Sequence, residues 1–212
     1  MLAKISIWSV LIPFIAGIVA FRSIDKSAKI IWCITALACV PQLSRYFIPN
    51  PLLRVLSYNL YSVFEFVLTQ YFFSIFLAKR NEAIFIKLSI VLFGLFYFAL
   101  TVNFGISRRF LYEIVCFDNL VYTIEVLYIL YREFDTDSKM FKMGNSEFYY
   151  LIGILLYAPV TVFIYSLWQY FQNASSTSVT HILIIHYLFN TIMYVLFGIG
   201  IIRSYRSNKL MS

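Results

Sequence analysis

Tyr58, Tyr61, Glu65 and Thr69 follow one another at steps of three, four and four, which puts all four on one face of a helix. The residues between them are mostly apolar, so this face carries a carboxyl group into a hydrophobic segment. Asp118, Tyr122 and Glu125 repeat the arrangement at steps of four and three, and His186, Asn190 and Tyr194 at steps of four. Acids, tyrosines and a histidine placed this way can relay protons, contact a ligand, or serve as catalytic acid and base. They can also make plain interhelical hydrogen bonds, and a lone histidine among apolar residues is more often hydrogen-bonded than metal-bound. Glu113 stands four residues after Arg109, the spacing of an ion pair along one helix face. Tyr58, Tyr61, Glu65, Glu113, Asp118, Tyr122, Glu125, His186, Asn190 and Tyr194 are therefore the candidate pocket residues. No catalytic set and no metal site can be assembled from them.

The elements that must position these residues are long and apolar. Of 212 residues, 61% are hydrophobic and 13% charged, where a soluble domain carries about 25% charged residues. A membrane-spanning helix needs roughly 20 apolar residues. Seven segments meet that need, at about 5–21, 28–48, 55–78, 83–104, 109–131, 148–171 and 180–203. They are apolar all round and lack the alternation of barrel strands. The expected fold is an all-α, polytopic bundle of seven transmembrane helices forming a single domain over residues 1–212. The first segment also has the outline of a secretory signal, with Lys4 ahead of an apolar run, but its cleavage pattern is poor and it is read as a helix. Pro41 and Pro159 fall inside segments two and six, and each is expected to bend its helix. Cys33, Cys39 and Cys116 all lie inside apolar runs and read as small hydrophobes.

Positive charge orients such a bundle, because cytoplasmic connections are enriched in Lys and Arg. Twelve of the 17 basic residues fall on the side of the first, third and fifth connections and the C-terminal tail. That places the N-terminus outside and the C-terminus in the cytoplasm. The net charge of +7 is thus a matter of topology, and no nucleic-acid signature accompanies it. Arg45, Arg54, Arg108 and Arg109 collect on the outer side, where they suit an anion or a lipid headgroup.

Several known chemistries do not fit. Residues 180–202 contain no lysine, so a retinal Schiff base is not expected, and no other cofactor is predicted. Three-histidine zinc hydrolases are excluded because the chain has two histidines. The spacing His186-x-x-x-Asn190 occurs in intramembrane CaaX-type proteases, but their Glu-Glu-x-x-x-Arg motif is missing. The combination of Tyr61-x-x-x-Glu65-Phe66, Arg109-x-x-x-Glu113 and His186-x-x-x-Asn190 resembles a family of small bacterial seven-helix membrane proteins, along nearly the whole chain. That resemblance implies fold and location, a bacterial inner (cytoplasmic) membrane, and no mechanism. The function expected is a sensor that binds a small molecule or lipid and acts through a cytoplasmic or membrane partner protein. A lipid-modifying enzyme, a proton-coupled transporter and a structural subunit of a larger complex remain alternatives.

Overall fold

A computed structural model describes residues 2–77, 79–135, 145–172 and 176–211. Among them every regular element is a helix: α1 (Leu2–Ser9), α2 (Leu11–Ala20), α3 (Lys26–Phe47), α4 (Pro51–Ser74), α5 (Arg80–Phe104), α6 (Tyr112–Asp135), α7 (Ser146–Ser166), α8 (Trp168–Gln172) and α9 (Ser176–Met211). Among the described residues six spans are long and apolar enough to cross a membrane: Leu2–Ala20, Lys26–Ser44, Arg80–Phe104, Tyr112–Phe134, Ser146–Ser166 and Val179–Leu210. The molecule is built as a multi-pass membrane protein. The helix α4 is long enough but too polar to join that set, since it carries Arg54, Asn59, Glu65 and Gln70.

The first segment is not one smooth helix. It breaks at Val10 into α1 and α2 because Pro13 has no N–H to give to the Ser9 carbonyl, and the Ser9 hydroxyl turns back to the Ser6 carbonyl at 2.7 Å. In contrast, α3 and α7 run without interruption through Pro41 and Pro159. The sixth segment ends earlier than expected, at Ser166, and α8 follows it. The last helix runs well past residue 203 to Met211. Its 36 residues span about 54 Å, more than the roughly 30 Å of a hydrocarbon core. Asn50 caps α4 by accepting from the Leu52 N–H at 2.9 Å, with Pro51 in the first turn, where its missing N–H has no intrahelical partner to lose.

The helices close a ring. Going round it, α2 packs on α3, α3 on α4, α4 on α5, α5 on α6, α6 on α7, α7 on α9, and α9 on α1 and α2. Inside the ring α3 also meets α7 and α9, and α4 meets α6. The chain can approach itself closely at α7 and α9 because Gly153 and Gly200 carry no Cβ. A methyl on Gly200 would overlap the Tyr150 ring, and one on Gly153 would sit 3.0 Å from Phe197. The polarity of the bundle is inverted relative to a soluble protein. Leu60, Phe64, Val67 and Tyr71 form an exposed apolar stripe on α4, while Asn59, Ser62, Thr69 and Gln70 of the same helix are buried. Leu88, Leu92, Leu95, Phe98 and Val102 continue the exposed apolar surface on α5.

A layer of aromatic rings crosses the middle of the ring. Phe66 of α4 stacks on Phe93 of α5 with centroids 4.0 Å apart and lies 5.8 Å from Tyr122 of α6. Phe72 meets Tyr150 of α7 at 6.1 Å, and Tyr150 meets Phe197 of α9 at 6.0 Å. These rings fill the bundle from Phe66 in the middle of α4 to Phe72 near its end.

Candidate functional site

Above the aromatic layer the helices part. They leave a cavity of about 510 Å³ at the end where α1 begins, α3 stops and α4 starts. Its wall takes residues from α1, α3, α4, α6, α7 and α9. Arg54 lies near the mouth and Glu65 near the floor. They are three helical turns apart on α4, or about 16 Å along its axis. A smaller chamber of about 30 Å³ continues below, and Tyr61, Glu65, Asn119, Tyr157, Met193 and Tyr194 line both. A space of that smaller size admits a water molecule or two.

The lining is polar in an ordered way. The Tyr157 hydroxyl stands 3.3 Å from His186 Nε2, and the ring of Tyr165 lies edge-on to the same histidine with centroids 5.8 Å apart. Gln42 Nε2 donates to the Tyr194 hydroxyl at 3.2 Å, joining α3 to α9. Asn190 Nδ2 donates to Ser6 Oγ at 2.7 Å, which fastens α1 to α9. These bonds hold the side chains in place, and the tyrosines and Glu65 line the void with them. A cavity of this size, aromatic with a few convergent polar groups, has the properties of a small-molecule site.

The candidate residues separate into two groups. Tyr58, Tyr61, Glu65, His186, Asn190 and Tyr194 line the large cavity, and Tyr122 lines the small chamber. Asp118, Glu125 and Glu113 line neither. Asp118 is 1% exposed, and its Oδ1 accepts from the Asn119 backbone N–H at 2.7 Å and from Asn119 Nδ2 at 2.9 Å. Glu125 is fully buried, and its Oε2 accepts from Gln70 Nε2 at 2.8 Å. Glu113 pairs with Arg109, whose guanidinium also covers the Phe104 ring at 3.7 Å. Arg109 is therefore committed to its own helix end. Of the other outer arginines, Arg54 lines the cavity and Arg108 packs over Gly105. The side chain of Arg45 lies outside the described residues, as do Lys139, Lys142 and the turn at 173–175.

Spacing along single helices missed the partners contributed from elsewhere. Gln42, Asn119, Tyr157, Tyr165 and Tyr187 all line the cavity. Asn119 follows Asp118 directly, and the roughly 100° rotation between neighbours turns the amide to the chamber and the acid into the helix contact. Asn59 was also overlooked. Its Nδ2 donates to the carbonyls of Ile106 and Arg109 at 2.6 and 2.9 Å, and its Oδ1 accepts from the Leu111 N–H at 3.1 Å. It thereby holds the α5–α6 turn, and with it Phe110, against the cavity wall. The one signal for it was its place next to Tyr58 in an otherwise apolar segment. No protein-family model matches this chain, and neither does any curated protein or solved structure.

Proposed function

We propose that this chain is a seven-span protein of a bacterial cytoplasmic membrane that binds a small molecule or lipid in the large cavity and passes the event to a partner protein. The seventh span is α4. Its exposed stripe is apolar and its polar residues face inward, as a helix in lipid requires. The basic residues orient the N-terminus outside, so the cavity opens to the exterior. The bacterial membrane is what the resemblance carried by the Tyr61, Arg109 and His186 spacings implies. The observation that carries the reading is the cavity itself, about 510 Å³ with a carboxyl at its floor, beneath which aromatic rings close the bundle. Occupancy would be read through α9, which lines the cavity with His186 and Asn190 and runs on to Arg206 and Lys209 at the other end.

Native mass spectrometry of the purified chain tests this. The wild type is expected to retain a small molecule or lipid that the Ser62→Trp variant loses, because the indole fills the space beside Glu65. The variant's melting temperature verifies that it is folded. Identical bound molecules in the two proteins would end the reading.

A further inference from the structure

The carboxylates of this protein divide by depth. Near the helix ends three have guanidinium partners, Glu113 with Arg109, and Glu82 and Glu133 with Arg132, while Asp25 and Glu147 are held by Ser146, Ser27 and Asn145. The middle is different. Among the described residues no Lys or Arg forms an ion pair with Glu65, Asp118 or Glu125. Asp118 and Glu125 are held by amide donors and are sealed from the cavity. Glu65 faces it. Among the described residues the middle of the bundle thus carries acids that no Lys or Arg offsets, and the imidazole of His186 is the one basic ring on the cavity wall.

What surrounds Glu65 suits a cation. Tyr61, Tyr157 and Tyr194 line both chambers with it. Ring faces attract a positive charge held within about 6 Å of their centres, most strongly where water is excluded. A buried carboxylate in turn needs a counter-charge to offset its lost hydration. Toward the mouth the wall mixes apolar Ile7, Val55 and Leu183 with Gln42, His186 and Asn190, and the next guanidinium met is Arg54. This sequence of surfaces has a direction: positive charge is favoured at the floor beside Glu65 and disfavoured at the mouth beside Arg54, with a wall of mixed polarity between them.

We propose that the cavity takes an organic cation, an ammonium group on an apolar body, with its head against Glu65 among the tyrosines and its body extending toward Arg54. This rests on the cavity being a ligand site, and it adds the chemical class.

Equilibrium dialysis of the full chain in nanodiscs, with empty nanodiscs subtracted, tests it with 2-phenylethylamine, protonated at pH 7, and 2-phenylethanol, its neutral counterpart of the same shape. The amine is expected to bind at least tenfold more tightly than the alcohol, and Glu65→Gln is expected to abolish that preference. If Glu65→Gln fails to fold, Tyr157→Leu and Tyr157→Phe take its place: the phenyl ring should keep the preference and the leucine should lose it. Equal binding of amine and alcohol, or an amine preference that survives Glu65→Gln, overturns the organic cation while leaving the cavity as a site for neutral ligands. Binding of neither probe also overturns it, and the Ser62→Trp comparison then decides separately whether the cavity binds anything. Stabilisation by sodium ion alone that depends on Glu65, without competition from the amine, overturns it in favour of a metal ion.

Discussion

At the end of the bundle where α4 stops and α5 starts, polar side chains meet each other. Arg132 of α6 donates to Glu82 of α5 at 2.9 Å and to the Phe76 carbonyl beyond α4 at 2.7 Å, and Tyr128 donates to the same Glu82 at 3.2 Å. Asp25 ahead of α3 accepts from Ser146 of α7 at 3.2 Å, its backbone N–H donates to Ser204 of α9 at 2.9 Å, and Ser27 donates to Glu147 at 3.0 Å. Side chains there tie α5 to α6 and, separately, α3 to α7 and α9. At the opposite end, Arg54, Tyr58, Glu65 and Tyr187 surround a void. The same membrane imposes the same cost on both sets of polar groups. One set is satisfied by packing, and this is the end that holds the ring together. The other is arranged around space, where the proposed ligand would sit.

If that contrast is right, substitutions at the two ends should differ in kind. The largest effect is expected from Arg132→Ala, which strands Glu82 at 7% exposure without its counter-charge and should destabilise the fold by about 3 kcal/mol. Thermal unfolding in detergent reads it, and a loss no greater than at Arg54 would erase the distinction between the ends. Asn59→Ala comes next. It removes three hydrogen bonds to the α5–α6 turn and should cost about 2 kcal/mol. The same assay measures this, and hydrogen exchange should show the Leu111 amide deprotected; an unchanged exchange rate there would mean that Asn59 does not anchor the turn.

Smaller effects sharpen the comparison from the cavity side. Tyr157→Phe removes a single hydroxyl contact to His186 and should change stability by about 0.5 kcal/mol. Fluorescence or calorimetric melting that showed a shift as large as that of Arg132→Ala would make the cavity wall a structural keystone instead. Arg54→Ala should lie within about 0.5 kcal/mol of wild type, while altering what the cavity binds. A large loss of stability would show that Arg54 has a packing role that its place beside the void does not indicate.

Much of this architecture is readable along the chain. Residues 114, 118, 122, 125 and 129 of α6 follow a three-and-four rhythm, and Ile114, Asp118, Tyr122, Glu125 and Ile129 are all buried. Helix period and apolar length make such a face predictable from the residues alone. The break at Val10 was equally available in principle, since Pro13 cannot donate to Ser9, but the apolar run hid it. The polarity of α4 marked it as the helix with the most to bury, and Asn59, Thr69 and Gln70 are buried on it. The pairing of Arg109 with Glu113 is also local, although Arg109 lies in the turn ahead of α6 and reaches Glu113 across the start of the helix.

What the sequence determined by itself is whatever depends on one helix at a time: the apolar spans, the face each turns inward, the ion pair one turn long. A membrane makes these strong signals, because every backbone group must be satisfied within its own helix and every charge placed in hydrocarbon is costly. The tertiary structure alone decided which faces oppose one another. Gln42 reaches Tyr194 across 152 positions and Asn190 reaches Ser6 across 184. Neither contact has a local cause, because helix order and axial stagger are set by close packing at places such as Gly153 and Gly200. The same long-range packing put Asn119 in the chamber and Asp118 behind it, and opened the space in which Glu65 stands.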